Sequence, residues 1–284
     1  MIKEYETISH IDIGRSIQYL TILMLSFLMC HSIVGQPIFN SQTANIEIFK
    51  SERNLKYEYQ NLEKLYDMQL AFLKPSEEWY HFNLNFHDLT SNVASPLSLL
   101  DPQISILKEA FSESVISFES SFVASESIEW NGYIDMKHNI EKAYDYVPSN
   151  VNIFIVELPD TISSYVSYPS QSPAVSSGIY IDKSILIDAT AGHLIKAIGQ
   201  YFGLYPLSGT NDCQDDYVLD TPIHPLGVRS CKSEHLSCNG DPLQMHNYMS
   251  DADLSCKSEF TSGQINRMHF FINHANSILP IDHK

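Results

Sequence analysis

Residues 194–206 read LIKAIGQYFGLYP, and this stretch decides the fold because it has the apolar rhythm of a buried helix that ends at a glycine. Ile195, Ile198 and Phe202 recur at intervals of three and four residues, which puts them on one helix face. Gly203 follows the last periodic position, where a left-handed C-terminal cap favours glycine. We therefore predict a core helix, although few of its residues can do chemistry.

The composition describes an acidic chain with enough apolar residues for a substantial core. Its 284 residues are 44% apolar and 11% aromatic, and the formal net charge is −17. That charge argues against nucleic-acid binding, which needs a basic face, and against docking on anionic lipid. The sequence contains no phosphate-binding loop, dinucleotide-binding glycine fingerprint or nucleophile elbow, so no nucleotide cofactor is expected.

The N-terminus has the features of an export signal. An apolar run over residues 19–29 has the length of a signal-peptide core and is too short to span a bilayer comfortably. We predict a signal peptide over residues 1–35 and a secreted, periplasmic or otherwise extracytoplasmic protein. Met29 is large where a lipoprotein signal needs a small residue, so no lipid anchor is expected on Cys30.

The rest of the chain divides into two parts. Residues 36–76 are polar and predict a helical segment, for which a propeptide, a linker helix and an N-terminal packing element all remain open. In residues 77–284, predicted strands and helices alternate, which is typical of an α/β fold. One predicted helix spans residues 98–121, with Asp101 as its N-cap and Pro102 as its first residue.

Four of the five cysteines cluster near the C-terminus, at Cys213, Cys231, Cys238 and Cys256. In an exported chain, an even and clustered set predicts two disulfides. A structural zinc site is the alternative, but the spacings contain no CxxC or CxxxxC pair. Four cysteines allow three pairings, and the spacing alone does not choose among them.

The pattern H-E-x-x-H-x-x-G-x-x-H arranges three zinc ligands around a helix and the turn that follows it. Its first two histidines lie on one helix face, the glutamate polarises a zinc-bound water, and the glycine allows the turn that brings in the third histidine. When Gly203 takes the glycine position, Lys196, Ala197 and Gln200 take those of the first histidine, the glutamate and the second histidine. Pro206 then takes the position of the third histidine.

Three downstream segments follow in a fixed order: DDYVLDTP (215–222), SCNGDPLQMHNYMSDADLSC (237–256) and FTSGQINRM (260–268). Together with the helix frame, they resemble the pappalysin-like zinc metalloproteases of the metzincin clan. The resemblance covers about residues 82–275. It implies a metzincin-like α/β fold with a twisted, mostly parallel sheet, a central former zinc-binding helix, a Met-turn and a disulfide-stapled C-terminal subdomain.

The resemblance also implies roles for single residues in the C-terminal region. Met249 would be the Met-turn methionine, which packs beneath the former metal site. The family's cysteine order implies the pairs Cys213–Cys238 and Cys231–Cys256.

Asp216, Asp220 and Thr221 lie where members of this family bind structural calcium. Their oxygen-rich side chains suit Ca²⁺. A capped turn without a metal is the alternative for these three residues.

The residues at the zinc positions depart from the family's chemistry. A charged Lys196 has no lone pair, Ala197 has no carboxylate to act as general base, Gln200 is a poor zinc ligand and Pro206 offers no donor atom. We therefore predict a pseudoprotease without zinc that binds a peptide or protein in the remnant cleft. The alternative is an active metalloendopeptidase with a relocated zinc site.

Two hypotheses concern the charged and metal-binding side chains near the frame. The Lys196 ammonium either occupies the vacated zinc volume and pairs with Asp251 or Glu259, or it reaches solvent. A relocated zinc site would need ligands from other histidines, which we favour as surface or loop residues instead. These histidines are His193, His224, His235 and His246.

Overall fold

The structure is a computed structural model that describes residues 53–74, 76–90, 97–123, 127–129, 131–143, 150–159, 163–171, 176–184, 190–208, 213, 215–232 and 234–281. All of them belong to the compact unit Phe39–Lys284. The predicted signal peptide and Cys30 lie outside these residues. Within them, no helix is long and apolar enough to cross a membrane.

A five-stranded sheet organises the fold, with the strand order β2-β1-β3-β5-β4. All neighbouring pairs are parallel except β4 and β5, which pair antiparallel at one edge. The predicted mostly parallel α/β sheet is therefore confirmed. The strands are β1 (Tyr80–Asp88), β2 (Ile116–Val123), β3 (Asn150–Val156), β4 (Ser164–Val166) and β5 (Gly178–Asp182).

Five helices surround this sheet in the described part of the chain. They are α1 (Arg53–Gln69), α2 (Leu97–Ser112), α3 (Tyr133–Ala143), α4 (Gly192–Tyr201) and α5 (Ser262–His274). The helix predicted around residues 194–206 is α4. Two short 3₁₀ turns, Leu70–Phe72 and Leu254–Cys256, also lie in the described part of the chain.

Apolar side chains cover both faces of the sheet. Successive residues of β3 point to opposite faces, and each set is buried in its own core. Ile153 and Ile155 belong to the larger core, which includes β1, α1, α2, α4 and α5. Phe154 and Val156 point the other way, into a smaller core with Met136 of α3. The larger core positions α4, which is buried along most of its length.

The helix predicted over residues 98–121 is wrong at both ends. It begins at Leu97, so Asp101 is not its N-cap and Pro102 lies inside it. It ends before Val115, whose φ of 48° breaks the helical path. The following residues form β2, because pairing with all of β1 but its last residue buries Ile116 in the larger core.

The turn after α4 needs its glycine. Gly203 has a φ of 95°, and a Cβ there would overlap the ring of Phe271. Its carbonyl accepts a hydrogen bond from Nε of Arg267 at 2.8 Å. The glycine therefore allows α5 to pack closely against the end of α4, which fixes the direction of the chain towards Pro206.

Candidate functional site

An ion pair lies at Lys196, the position that the family's motif frame assigns to the first zinc ligand. Lys196 of α4 donates from Nζ to Oδ1 of Asp251 at 2.8 Å and to the Ser250 carbonyl at 3.2 Å. The Lys196 side chain is 13% exposed and that of Asp251 is 24% exposed. The Ser208 hydroxyl donates to the second carboxylate oxygen of Asp251. The Asp251 carboxylate, in the segment after Met249, therefore contacts both α4 and the segment after Pro206.

This geometry separates the two hypotheses for Lys196. The ammonium contacts acceptors within the site, so the predicted ion pair with Asp251 is confirmed and the solvent-reaching alternative is wrong. Glu259, the other predicted partner, pairs through its backbone with Tyr248 instead, at 2.8 Å. Whether the ammonium fills the volume that zinc takes in related enzymes stays a hypothesis.

His224 also lies near this ion pair, which its neighbours in the sequence do not predict. It is only 3% exposed, and its Nε2 has no hydrogen-bond partner among the described residues. Burial lowers the pKa of His224 to about 4; the nearby Asp251 carboxylate opposes this shift, and the Lys196 ammonium adds to it. The ring is therefore neutral at physiological pH. We refer to Lys196, Ser208, His224 and Asp251 as the lysine cluster.

Acid is expected to destabilise the protein through His224. In the unfolded chain its pKa is about 6.5. As the pH falls from 6.5 to 4 the unfolded state gains a proton that the folded state does not, so stability decreases. The loss at pH 4 is about 3 kcal/mol. His224→Gln should remove this part of the slope in urea unfolding measured at pH 7, 5.5 and 4.

A matched variant checks the assignment of that slope. His235 has an intermediate exposure, and its Nε2 lies 2.9 Å from the Ser230 hydroxyl. His235→Gln is therefore the matched histidine-to-glutamine substitution at a half-buried position, and the slope of His224→Gln is compared with its slope. An unchanged slope in His224→Gln would contradict the burial of a neutral imidazole at this site.

The other three positions of the family's zinc-motif frame hold Ala197, Gln200 and Pro206. Ala197 and Pro206 are buried, and the buried Gln200 side chain lies beside the Tyr168 hydroxyl. Met249 is fully buried, with its Sδ 2.8 Å from the position that a Cβ on Gly199 would take. Met249 therefore packs against α4, where a Met-turn residue is expected to lie.

The three calcium candidates form two separate arrangements. Asp216 Oδ1 accepts hydrogen bonds from the Thr221 hydroxyl at 2.6 Å and the Val218 amide at 3.3 Å. The Asp220 carboxylate accepts from the Thr261 hydroxyl at 2.7 Å and the Gly263 amide at 2.8 Å, at the start of α5. These contacts are those of a capped turn and a capped helix.

One oxygen among these candidates is still available to a cation. Asp216 Oδ2 is buried and has no hydrogen-bond partner in the described part of the chain. Burial raises the pKa of Asp216 to about 7. Calcium binding stays a prediction, with Asp216 Oδ2 as the atom that the ion would contact first.

Two disulfides staple the region after α4. Cys213 is bonded to Cys238 and Cys231 to Cys256, with Cα–Cα distances of 5.8 Å and 5.6 Å. These are the pairs that the family resemblance implies. The alternative of a structural zinc held by the cysteines is therefore wrong.

The histidines considered for a relocated zinc site do not come together. His246 Nδ1 lies 2.7 Å from the Cys256 carbonyl, and His235 contacts Ser230. Over the residues that the structure describes, no three His, Cys, Asp or Glu side chains form a group that could hold a metal.

A buried arginine is the largest feature that the sequence-based predictions missed. Arg267 of α5 is fully buried and forms an ion pair with Glu63 of α1. Its guanidinium also lies 4.7 Å from the ring centre of Tyr66 and 5.2 Å from that of Tyr205. The FTSGQINRM motif contains this arginine, but its partner on α1 is some 200 residues away in sequence.

The sheet order, the buried α4 with its glycine turn and the disulfide-stapled C-terminal region define a protein of the metzincin metallopeptidase fold class. The sequence profile of the peptidase family described as pregnancy-associated plasma protein-A matches residues 129–273. The chain therefore belongs to this family, the pappalysins.

Relatives and solved structures agree with this assignment. An extracellular metalloprotease of Neurospora crassa is 25% identical over 247 residues, which cover 78% of this chain and 85% of that relative. One of Arthroderma gypseum is 27% identical over 211 residues, covering 66% and 70%. A point mutant of Tannerella forsythia promirolysin shares the fold with a TM-score of 0.65 at 16% identity, covering 82% of this chain and 93% of that one.

Proposed function

We propose that this protein is an exported pseudoprotease of the pappalysin family, which does not hydrolyse peptides but binds a peptide or protein in the remnant cleft. The observation that carries the proposal is the ion pair of Lys196 with Asp251 at the first zinc position. A cation held by two hydrogen bonds now stands where the family presents a neutral imidazole.

Electrostatics and ligand chemistry both support the loss of zinc. A Zn²⁺ ion would have to approach the Lys196 ammonium in a partly buried site, where the repulsion of like charges is weakly screened. Catalytic zinc needs three protein ligands and an open position. Gln200 is a poor ligand and Pro206 has no donor atom, while Ala197 leaves no carboxylate to take a proton from water.

Exposed apolar side chains beside the former site support ligand binding. Tyr217 and Leu219 are both exposed, and the Tyr217 ring lies 5.8 Å from that of Tyr205, next to Pro206. Such residues mark interaction sites when they gather beside a cleft. Mature mirolysin, which was solved in complex with a cleaved peptide, matches 68% of this chain with a TM-score of 0.57 at 18% identity.

Export is supported by the relatives and by the covalent structure. The curated relatives are named extracellular metalloproteases. The two disulfides are stable in an oxidising compartment and rare in the cytosol.

One peptide library tests both halves of this proposal. The immobilised protein, with its disulfides intact, is incubated with the library, and the bound and free peptides are identified by mass spectrometry with and without a chelator. We expect a subset of peptides to be retained uncut. Chelator-sensitive cleavage would instead favour a relocated zinc site, and the absence of any retained peptide would contradict binding in the cleft.

Surface variants give the control for this experiment. Tyr217→Ser combined with Leu219→Ser should reduce retention. Leu236→Ser, which removes an exposed leucine elsewhere in the stapled region, should not.

A further inference from the structure

A cavity of about 360 Å³ lies between the C-terminal end of α2 and the segment that leads into α5. None of its lining residues comes from α4 or from the lysine cluster, so it is distinct from the remnant cleft. The volume is within the range of about 300–1,000 Å³ for small-ligand pockets. Its apolar lining consists of Ile106, Ala110, Tyr248, Phe260 and Ile265.

Three carboxylates line the same cavity. Glu109 lies in the last turn of α2, Glu113 directly follows that helix, and Glu259 lies on the segment before α5; all three are exposed. Lys257 is the only basic residue among the described residues of the lining, which therefore carry an excess of negative charge. Its surroundings therefore favour a cationic ligand.

Tyr248 brings a second, independent feature into the cavity. The residue is 9% exposed, and its hydroxyl makes no hydrogen bond to any described residue. Its backbone amide donates to the Glu259 carbonyl, and its ring lies 4.9 Å from that of Phe260. The phenol is thus held in place with an unpaired oxygen and a ring face, both of which attract cations.

We propose that this cavity binds an arginine or lysine side chain of a partner polypeptide. The glutamates would pair with the charged group, the Tyr248 ring and hydroxyl would contact it, and the apolar residues would pack against its aliphatic stem. A bare metal ion fits less well, because these carboxylates form no metal-holding group within the described residues. The proposal does not depend on whether the protein is a peptidase.

A charge-neutral isostere provides the direct test. The peptide acetyl-Gly-Arg-Gly-amide and its citrulline counterpart are titrated into the folded protein, and chemical shifts are followed by NMR. The arginine peptide should saturate and shift the signals of Tyr248 and Phe260, whereas the citrulline peptide should bind at least about threefold more weakly. Equal binding of both peptides, or no saturable binding of the arginine peptide, would overturn the proposal.

Variants then locate the site. Glu109→Gln with Glu113→Gln should weaken the arginine peptide roughly three- to tenfold, and Lys257→Gln should strengthen it about twofold. Glu119→Gln with Glu129→Gln is the control: it removes the same charge from exposed positions outside the lining and should leave the affinity unchanged. An equal loss in both double variants would show only long-range charge attraction and would contradict a built site.

Discussion

Restoring the zinc motif with Lys196→His, Ala197→Glu, Gln200→His and Pro206→His is expected to raise bound zinc from less than about a tenth of an equivalent to about one equivalent. The reason is that α4 and its glycine turn keep the frame of the site. Lys196 and Gln200 lie one helical turn apart, and Gly203 has the positive φ that the turn requires.

The matched control for this gain is the triple variant that retains Pro206. It lacks the third ligand, so its zinc should be removed by dialysis against a weak chelator that leaves the quadruple variant loaded. A quadruple variant that folds with both disulfides and still binds no zinc would contradict the claim that the frame is intact. Chelator-sensitive peptide cleavage by the quadruple variant would show that the restored zinc is also catalytic.

Replacing the buried arginine with Arg267→Met is expected to destabilise the protein by about 3–5 kcal/mol, the cost of breaking a buried ion-pair network. The guanidinium is 0% exposed, pairs with Glu63 and donates to the Gly203 carbonyl at 2.8 Å. It also donates to the Tyr59 hydroxyl at 3.3 Å, so its removal loosens α1, α5 and the turn after α4 together. Urea unfolding measures the loss.

The exposed Arg229 offers the control for this prediction. Arg229→Met changes charge and size in the same way at an exposed position, and it should alter stability by no more than about 0.5 kcal/mol. If Arg267→Met lost less than about 1 kcal/mol, the arginine network would not hold α1 to the domain.

The contacts of Arg267 also help to decide the role of residues 36–76, the segment before the sheet. The sequence is compatible with a propeptide, a linker helix and an N-terminal packing element. Tyr59, Leu62 and Tyr66 are buried in the larger core, and the Tyr59 ring stacks on Phe271 of α5 at 5.7 Å. These contacts favour a packing element for α1. Residues 36–52 of the segment lie outside the described residues.

The elements that the sequence predicts well are those whose signals are local. The periodicity of α4 and the glycine after it can both be seen within a dozen residues. β2 was missed because its residues follow a strongly helical stretch without a turn signal, and only its pairing with β1 identifies it as a strand. The disulfide pairs followed from family resemblance, because spacing alone cannot choose among three pairings.

The parts of the site that the sequence does not predict depend on long-range contacts. Lys196 had two candidate partners, and the fold brings only Asp251 to it while Glu259 lines the cavity near α2. Ser208 and His224 join the same cluster from loops that carry no motif of their own. A buried histidine with an unpaired nitrogen cannot be told from a surface histidine by its neighbours in sequence.

The zinc content of the purified, disulfide-intact native protein tests the central claim most directly. Elemental analysis after dialysis against zinc-containing and then metal-free buffer should find less than about a tenth of an equivalent, because three ligand positions and the general-base position are chemically unsuited to the metal. About one equivalent, released by chelator, would contradict a dismantled site and would point to a metal centre built from other residues.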